Sequence, residues 1–345
     1  MDKSSILIIY TGGTIGMVRD EVTGVLKPVN LDSLYENIPV LEKFDCRLEF
    51  RSFDPLLDSS NINPEHWRKI ADIIEENYEG FDGFVVLHGS DTMAYTASAL
   101  SFMLENLNKP VILTGSQLPL GMIRTDGREN FVTAIEIAAA KEEDTPVVPE
   151  VAVFFENRLL RGNRTVKYNA EHFEAFRSDN YPPLAEVGVN IRFNHDDIMK
   201  PNFRKLKVHR NLETNIAILR LFPGLTESVV RSILGSPDIK GLILETYGTG
   251  NAMEDGWFLE LIRKSAEEGL IIYNVTQCQA GSVNMHRYET GKKLLDAGAI
   301  SGHDITTESA VAKMMHLCGS GLYVEKVKAL LETPLRGELT VRRST

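Results

Sequence analysis

Short apolar runs rich in β-branched residues recur along this chain, and amphipathic stretches of helical length separate them. ILIIY at 6–10, FDGFVVLHG at 81–89, PVILTG at 110–115 and EVAVFFEN at 150–157 come first; IAILRLF at 216–222, KGLILETYG at 240–248 and GLIIYNVTQ at 269–277 follow. This alternation predicts an α/β fold with largely parallel strands. One helix should open at Asn63-Pro64, where asparagine caps and proline suits the first helical position, with Trp67, Ile70, Ala71 and Ile74 on its apolar face. A second should follow Asp91 through MAYTASALSFMLENL at 93–107.

At 345 residues the chain exceeds the size at which one core usually stops growing, so two domains are expected. Residues 191–212 break the rhythm with mixed charge, a proline and no sustained period, and read as an interdomain linker. That leaves a larger N-terminal domain at 1–190 and a smaller C-terminal α/β domain at 213–345, the latter ending in the helical segments SAVAKMMHLC and VEKVKALLE.

With 43% hydrophobic and 25% charged residues the composition is that of a soluble globular protein. A net charge of -11 disfavours nucleic-acid binding, which needs a concentrated basic surface, and the densest basic cluster, RLLRGNR at 158–164, is too short to reverse this. The three cysteines, Cys46, Cys278 and Cys318, form no metal-binding spacing, favour a reducing compartment, and at 278 and 318 read as buried small hydrophobes. The apolar run at 6–10 is shorter than the roughly 7–15 residues of a signal-peptide core, and no run nears the roughly 18 needed to span a bilayer. No metal, no membrane association and a cytoplasmic location are the resulting expectations.

In open parallel sheets, ligands gather beyond the carboxyl ends of strands. Here those ends read Thr11-Gly12-Gly13-Thr14, His88-Gly89-Ser90-Asp91-Thr92 and Thr114-Gly115-Ser116-Gln117, while Asp58-Ser59-Ser60-Asn61 precedes the Asn63 helix. A dinucleotide fingerprint would need glycine at 11, 13 and 16, and position 11 is threonine. Glycines serving only a tight turn are a simpler alternative. The third reading is nucleophilic catalysis by a threonine hydroxyl, which needs a base and donors for an oxyanion. Gly12 and Gly13 would let backbone N–H groups approach a carbonyl, Asp91 could hold a substrate ammonium, and Lys167 could accept a proton, although spacing alone does not select that lysine. His88, at a strand end, reads as a buried structural residue rather than a base.

Taken together, YTGGTIG at 10–16, HGSDTMAYTASALSFMLENL at 88–107, TGSQLPL at 114–120 and LLRGNRTVK at 159–167 resemble signature segments of the bacterial-type asparaginase family, in particular its cytoplasmic type I branch. The resemblance continues through LETYGTGNA at 244–252, TQCQAGSVNM at 276–285 and LRGELT at 335–340. It implies hydrolysis of L-asparagine to L-aspartate and ammonia, without metal or cofactor, through a covalent acyl-threonine intermediate. Thr14 falls on the nucleophile's position, and Ser90, Asp91 and Lys167 on the second catalytic group, with Ser90 and Asp91 also touching substrate. Asp58, Ser59 and Ser60 match the segment that holds the α-carboxylate and α-amino groups, and Ser116 matches a position lining the side-chain amide. The implied architecture is a large N-terminal and a smaller C-terminal domain, assembled as a homodimer or a homotetramer built from two dimers.

Two departures stand out. Position 90 is usually threonine in that family and is serine here, which keeps the hydroxyl. Many members carry a tyrosine in the loop after the first motif, where it helps activate the nucleophile, and RDEVTGVLKPV at 19–29 has none. Tyr288 in NMHRYETG is the substitute proton path expected here, and the 19–29 loop a lid over substrate. Glutamine, or other amides and esters, are alternative substrates, since one methylene discriminates by only about 1–3 kcal/mol. A non-catalytic amino-acid sensor is the alternative from a different class, and retention of Thr14, Asp91 and Lys167 argues against it.

Overall fold

The computed structural model describes residues 3–19, 26–28, 41 and 44–341. The chain divides into two compact units, residues 1–208 and 209–345.

The first unit is built on an eight-stranded sheet. Its strands in chain order are β1 (Ser4–Gly12), β2 (Cys46–Leu57), β3 (Gly83–Leu87), β4 (Val111–Thr114), β5 (Val151–Phe155), β6 (Arg158–Arg161), β7 (Ala185–Val187) and β8 (Ile191–Phe193). They lie in the order β8-β7-β6-β5-β4-β3-β1-β2. Pairings from β2 through β5 are parallel, and β5 to β8 run antiparallel. Parallel neighbours put their carboxyl ends on one edge, so β1, β3 and β4 deliver their terminal residues side by side. Ile6, Ile8, Val85, Ile112, Ala152 and Phe154 from the strands meet Phe131, Ile135 and Ile137 in one buried cluster.

Helix α1 (Pro64–Glu76) starts as its sequence dictates. The Asn63 side chain accepts from the N–H groups of Glu65 and His66, Pro64 fills the first turn, and Trp67, Ile70, Ala71 and Ile74 are buried. Helix α2 (Met93–Met103) stops short of the expected 93–107, because Leu104–Glu105 leave it to pair with Lys207–Val208 and Asn106 takes a positive φ of 60°. Among the described residues the third helix of this unit is α3 (Gly127–Ala139).

Of the segment 191–212, Ile191–Phe193 form the sheet's edge strand β8. Further on, the Asn108 side-chain oxygen accepts from the N–H groups of Asn202 and Phe203. Such side-chain-to-backbone bonds order a segment without any apolar period that a sequence could display.

The second unit carries a four-stranded parallel sheet of β9 (Ile216–Arg220), β10 (Gly241–Thr246), β11 (Ile271–Thr276) and β12 (Ile300–Ser301), in that spatial order. Helices α4 (Glu227–Leu234), α5 (Gly256–Glu267), α6 (Glu289–Asp296), α7 (Thr307–Gly319) and α8 (Val324–Leu331) belong to it. Both late helical segments therefore form, as α7 and α8. Cys318 is half-buried, and Cys278 is exposed, contrary to its reading as a buried hydrophobe: it lies just beyond the end of β11, outside the core. Among the described residues, no helix is long and apolar enough to cross a membrane.

Candidate active site

The β1 terminus is shaped by two glycines with positive φ, 124° at Gly12 and 91° at Gly13. An added Cβ on Gly13 would lie 2.5 Å from the Gly89 backbone nitrogen, so the ends of β1 and β3 meet at a distance only glycine allows. After Gly13 the chain makes a single 3-10 turn, Thr14–Gly16, and returns to strand at Met17–Arg19. A phosphate loop requires a helix N-terminus at this point, so the dinucleotide reading fails on geometry as well as on Thr11. The Thr11 hydroxyl instead donates to the Leu87 carbonyl at 2.9 Å, and the Gly13 N–H donates to the Leu57 carbonyl at 3.2 Å.

Three of the expected residues are directly bonded. Lys167 Nζ donates to Ser90 Oγ at 3.0 Å and to Asp91 Oδ1 at 2.5 Å. The Lys167 side chain is 18% exposed and that of Asp91 65%, so the pair offers its carboxylate to solvent and shelters its ammonium. Lys167 is held by the two-residue strand Val166–Lys167, paired with Phe176–Arg177.

Ser59 is buried against Gly89, where an added Cβ would meet its hydroxyl at 2.5 Å. Its carbonyl accepts from the Thr92 hydroxyl at 2.7 Å. Asp58 and Ser60 form one turn: Asp58 Oδ1 accepts from the Ser60 N–H and hydroxyl, both at 2.8 Å, and these bonds hold the carboxyl below its ordinary range, the backbone one most. Ser116 is buried, and among the described residues no group bonds its hydroxyl. It lies beside Gly127 together with Ile15: an added Cβ on Gly127 would stand 3.0 Å from Ser116 Cβ and 3.2 Å from Ile15 Cγ1. A buried hydroxyl without a protein partner at this strand end is the kind of group a polar ligand satisfies.

His88 is fully buried in a chain of hydrogen bonds. Trp67 Nε1 donates to Thr96 Oγ1 at 3.0 Å, which lies 2.9 Å from His88 Nε2, while His88 Nδ1 lies 2.7 Å from the Gly89 carbonyl. Since a carbonyl only accepts, Nδ1 carries the proton and Nε2 accepts from Thr96, leaving the ring neutral. Burial pushes its pKa down to about 4. This is the structural role expected of it: the ring braces the peptide before Ser90.

The basic cluster at 158–164 is spent internally. Arg161 donates to both oxygens of buried Glu150, at 2.6 and 3.2 Å, and the Arg161 and Arg164 guanidinium groups lie 4.3 and 5.2 Å from the Tyr181 ring centroid. Among the described residues no group of His, Cys, Asp and Glu side chains is arranged to hold a metal.

Tyr288 belongs to the second unit, where it precedes α6; it is 49% exposed, and the Arg287 guanidinium lies 5.4 Å from its ring centroid. Of the segment at 19–29, Leu26–Pro28 pair antiparallel with Met17–Arg19, and residues 20–25 and 29, with the lid expected there, lie outside the described residues.

Sequence reasoning passed over Gln117, Asp126 and Asn130. Asp126 accepts from the N–H groups of Gln117 and Leu118, and Asn130 Nδ2 donates to Asp126 Oδ2 and to the Gly115 carbonyl. The one signal for Gln117 was its place beyond a strand end; Asp126 and Asn130 gave none.

Comparison with known proteins shows the family. Residues 5–199 match the family model described as "Asparaginase, N-terminal", and residues 215–331 match "Glutaminase/Asparaginase C-terminal domain". The chain is 43% identical over 341 residues to L-asparaginase 1 of Escherichia coli strain K12, covering 99% of each. It is 42% identical over 360 residues to the 60 kDa lysophospholipase of Mus musculus, spanning 97% of this chain and 62% of that protein. The crystal structure of L-asparaginase I from Vibrio cholerae matches with a TM-score of 0.89 at 42% identity, covering 98% of this chain and all of that one.

Proposed function

This chain belongs to the asparaginase family, and we propose that, as an L-asparagine amidohydrolase, it works through a covalent intermediate on Thr14. The Thr14 hydroxyl oxygen attacks the side-chain carbonyl carbon. The carbon–nitrogen bond then breaks, ammonia leaves with an added proton, and an aspartyl ester remains on Thr14. Water attacks that ester, releasing L-aspartate and restoring the hydroxyl. Backbone N–H groups near Thr14 are assigned the oxyanion in both steps, that of Gly13 excepted because it donates to the Leu57 carbonyl.

The observation that carries this reading is the bonding of Lys167 to both Ser90 and Asp91 at a strand end pressed against Gly13. Lys167 and Ser90 are assigned proton transfer, and the exposed oxygens of Asp91 receive the substrate ammonium. Asp58, Ser59 and Ser60 are assigned to the α-carboxylate and α-amino groups, and Ser116 to the amide. With no tyrosine in the 19–29 loop, Tyr288 is assigned the proton path to Thr14. Unchanged kcat/KM in Tyr288→Phe would remove that assignment. A reducing cytoplasmic location, the type I branch and a homodimer or homotetramer complete the proposal; light scattering on the purified protein reads the assembly.

Ammonia release at subsaturating substrate tests the substrate class, with kcat/KM expected to be higher for L-asparagine than for L-glutamine. Ester hydrolysis is a second reading, favoured by the likeness to a lysophospholipase. A lysophospholipid turned over faster than L-asparagine would replace the amide reading with it.

A further inference from the structure

The Ser90 hydroxyl has one proton, and the structure gives it a definite direction. Ser90 Oγ lies 3.1 Å from Gln117 Oε1, and Gln117 Nε2 lies 3.2 Å from the Ala170 carbonyl and 3.1 Å from the His172 carbonyl. Two carbonyl oxygens can only accept, so they fix the amide with its nitrogen toward them and its oxygen toward Ser90. Facing an acceptor, Ser90 must donate to Gln117. Its lone pairs are then left for the Lys167 ammonium at 3.0 Å.

Ala170 and His172 lie in the turn between Val166–Lys167 and Phe176–Arg177, so they follow Lys167 closely along the chain. Gln117 therefore bridges the β3 terminus, which supplies Ser90, and the turn that carries Lys167. The Gln117 backbone is itself anchored, because Asp126 takes its N–H at 2.9 Å and that of Leu118 at 3.0 Å.

We propose that Gln117 is a positioning residue: it sets the direction of the Ser90 hydroxyl and holds Ser90 in register with Lys167 by tying both to one side-chain amide. This rests on the catalytic assignment of Ser90 and Lys167 above. Gln117 touches neither substrate nor Thr14 in this role; it acts through Ser90. Transfer of the Ser90 proton to Lys167 requires the lysine as the neutral amine, its own proton already given up, and begins with the hydroxyl turning away from Gln117, so the amide defines the starting arrangement of that step.

Gln117→Met keeps an unbranched side chain of similar length and removes both the acceptor and the donors. On L-asparagine its kcat should fall about tenfold with KM within about threefold of wild type, the split that loss of positioning rather than of substrate binding gives. Gln117→Glu carries the test should the methionine variant not fold: it keeps an acceptor for Ser90 but sets oxygen against the two carbonyls, and its kcat should also fall by more than about threefold at near-normal KM. A kcat within twofold of wild type in either folded variant overturns the proposal, as does a loss carried by KM alone. Thr14→Ala measured beside them separates the two levels: activity surviving in Thr14→Ala overturns the catalytic reading itself, whereas its loss alongside a normal Gln117→Met overturns only the role of Gln117.

Discussion

Lys167 Nζ and Asp91 Oδ1 are 2.5 Å apart although their residues stand 76 positions apart in the chain. The lysine is mostly covered and the carboxylate mostly open, so the pair contributes little to stability and leaves one face of Asp91 for a ligand. Asp91→Asn should therefore change the unfolding free energy by no more than about 1 kcal/mol while lowering kcat/KM for L-asparagine at least about a hundredfold. Urea denaturation and ammonia release on the same sample check both halves.

Gly13 combines a φ of 91° and ψ of 173° with the close approach to Gly89. That backbone region is nearly closed to other residues and costs of order 1–3 kcal/mol, before any clash with the Gly89 nitrogen. Gly13→Ala should lose at least about 2 kcal/mol of stability and most of its activity. A urea midpoint equal to that of wild type would mean that β1 and β3 do not meet as described.

His88 gives the fold a pH dependence of definite sign. Buried, its pKa is pushed down to about 4, and unfolding returns it to the ordinary 6.5. Between those values the unfolded chain binds the proton and the folded one does not, so stability falls as pH falls through this window. From pH 7 to pH 5 this group alone should remove about 2 kcal/mol. His88→Gln should show a correspondingly smaller drop between urea midpoints at the two pH values, even if it is less stable throughout; equal drops would place the ring in contact with water.

Strands β1, β3, β4, β5, β9, β10 and β11 were legible because each is an apolar run ending in turn residues, and the α1 start because Asn63-Pro64 is a local signal; β2, with its alternating charges, and the short β6, β7, β8 and β12 carry no such run. The α2 end was not, since it depends on Leu104–Glu105 finding Lys207–Val208 about a hundred residues later. Residues of the site that sit at strand ends, Thr14, Ser90, Asp91 and Ser116, could be found as strand ends; Lys167 was a candidate base that spacing alone did not select, because its position depends on the packing of a two-residue strand. Gln117, Asp126 and Asn130 act through side-chain bonds across a turn, which leave no periodic mark. Cys278 was misjudged for the opposite reason: a small apolar residue type says nothing about which side of a strand end it occupies.

Thr14 lies just past the Gly12-Gly13 turn and next in sequence to Ile15, which like Ser116 lies against Gly127. The most direct measurement is ammonia release from L-asparagine by wild-type protein and by Thr14→Ala, with circular dichroism confirming that both are folded. Turnover by the wild type and a loss of at least about a thousandfold in kcat for the variant are expected. Comparable ammonia release by a folded Thr14→Ala would contradict a nucleophilic Thr14.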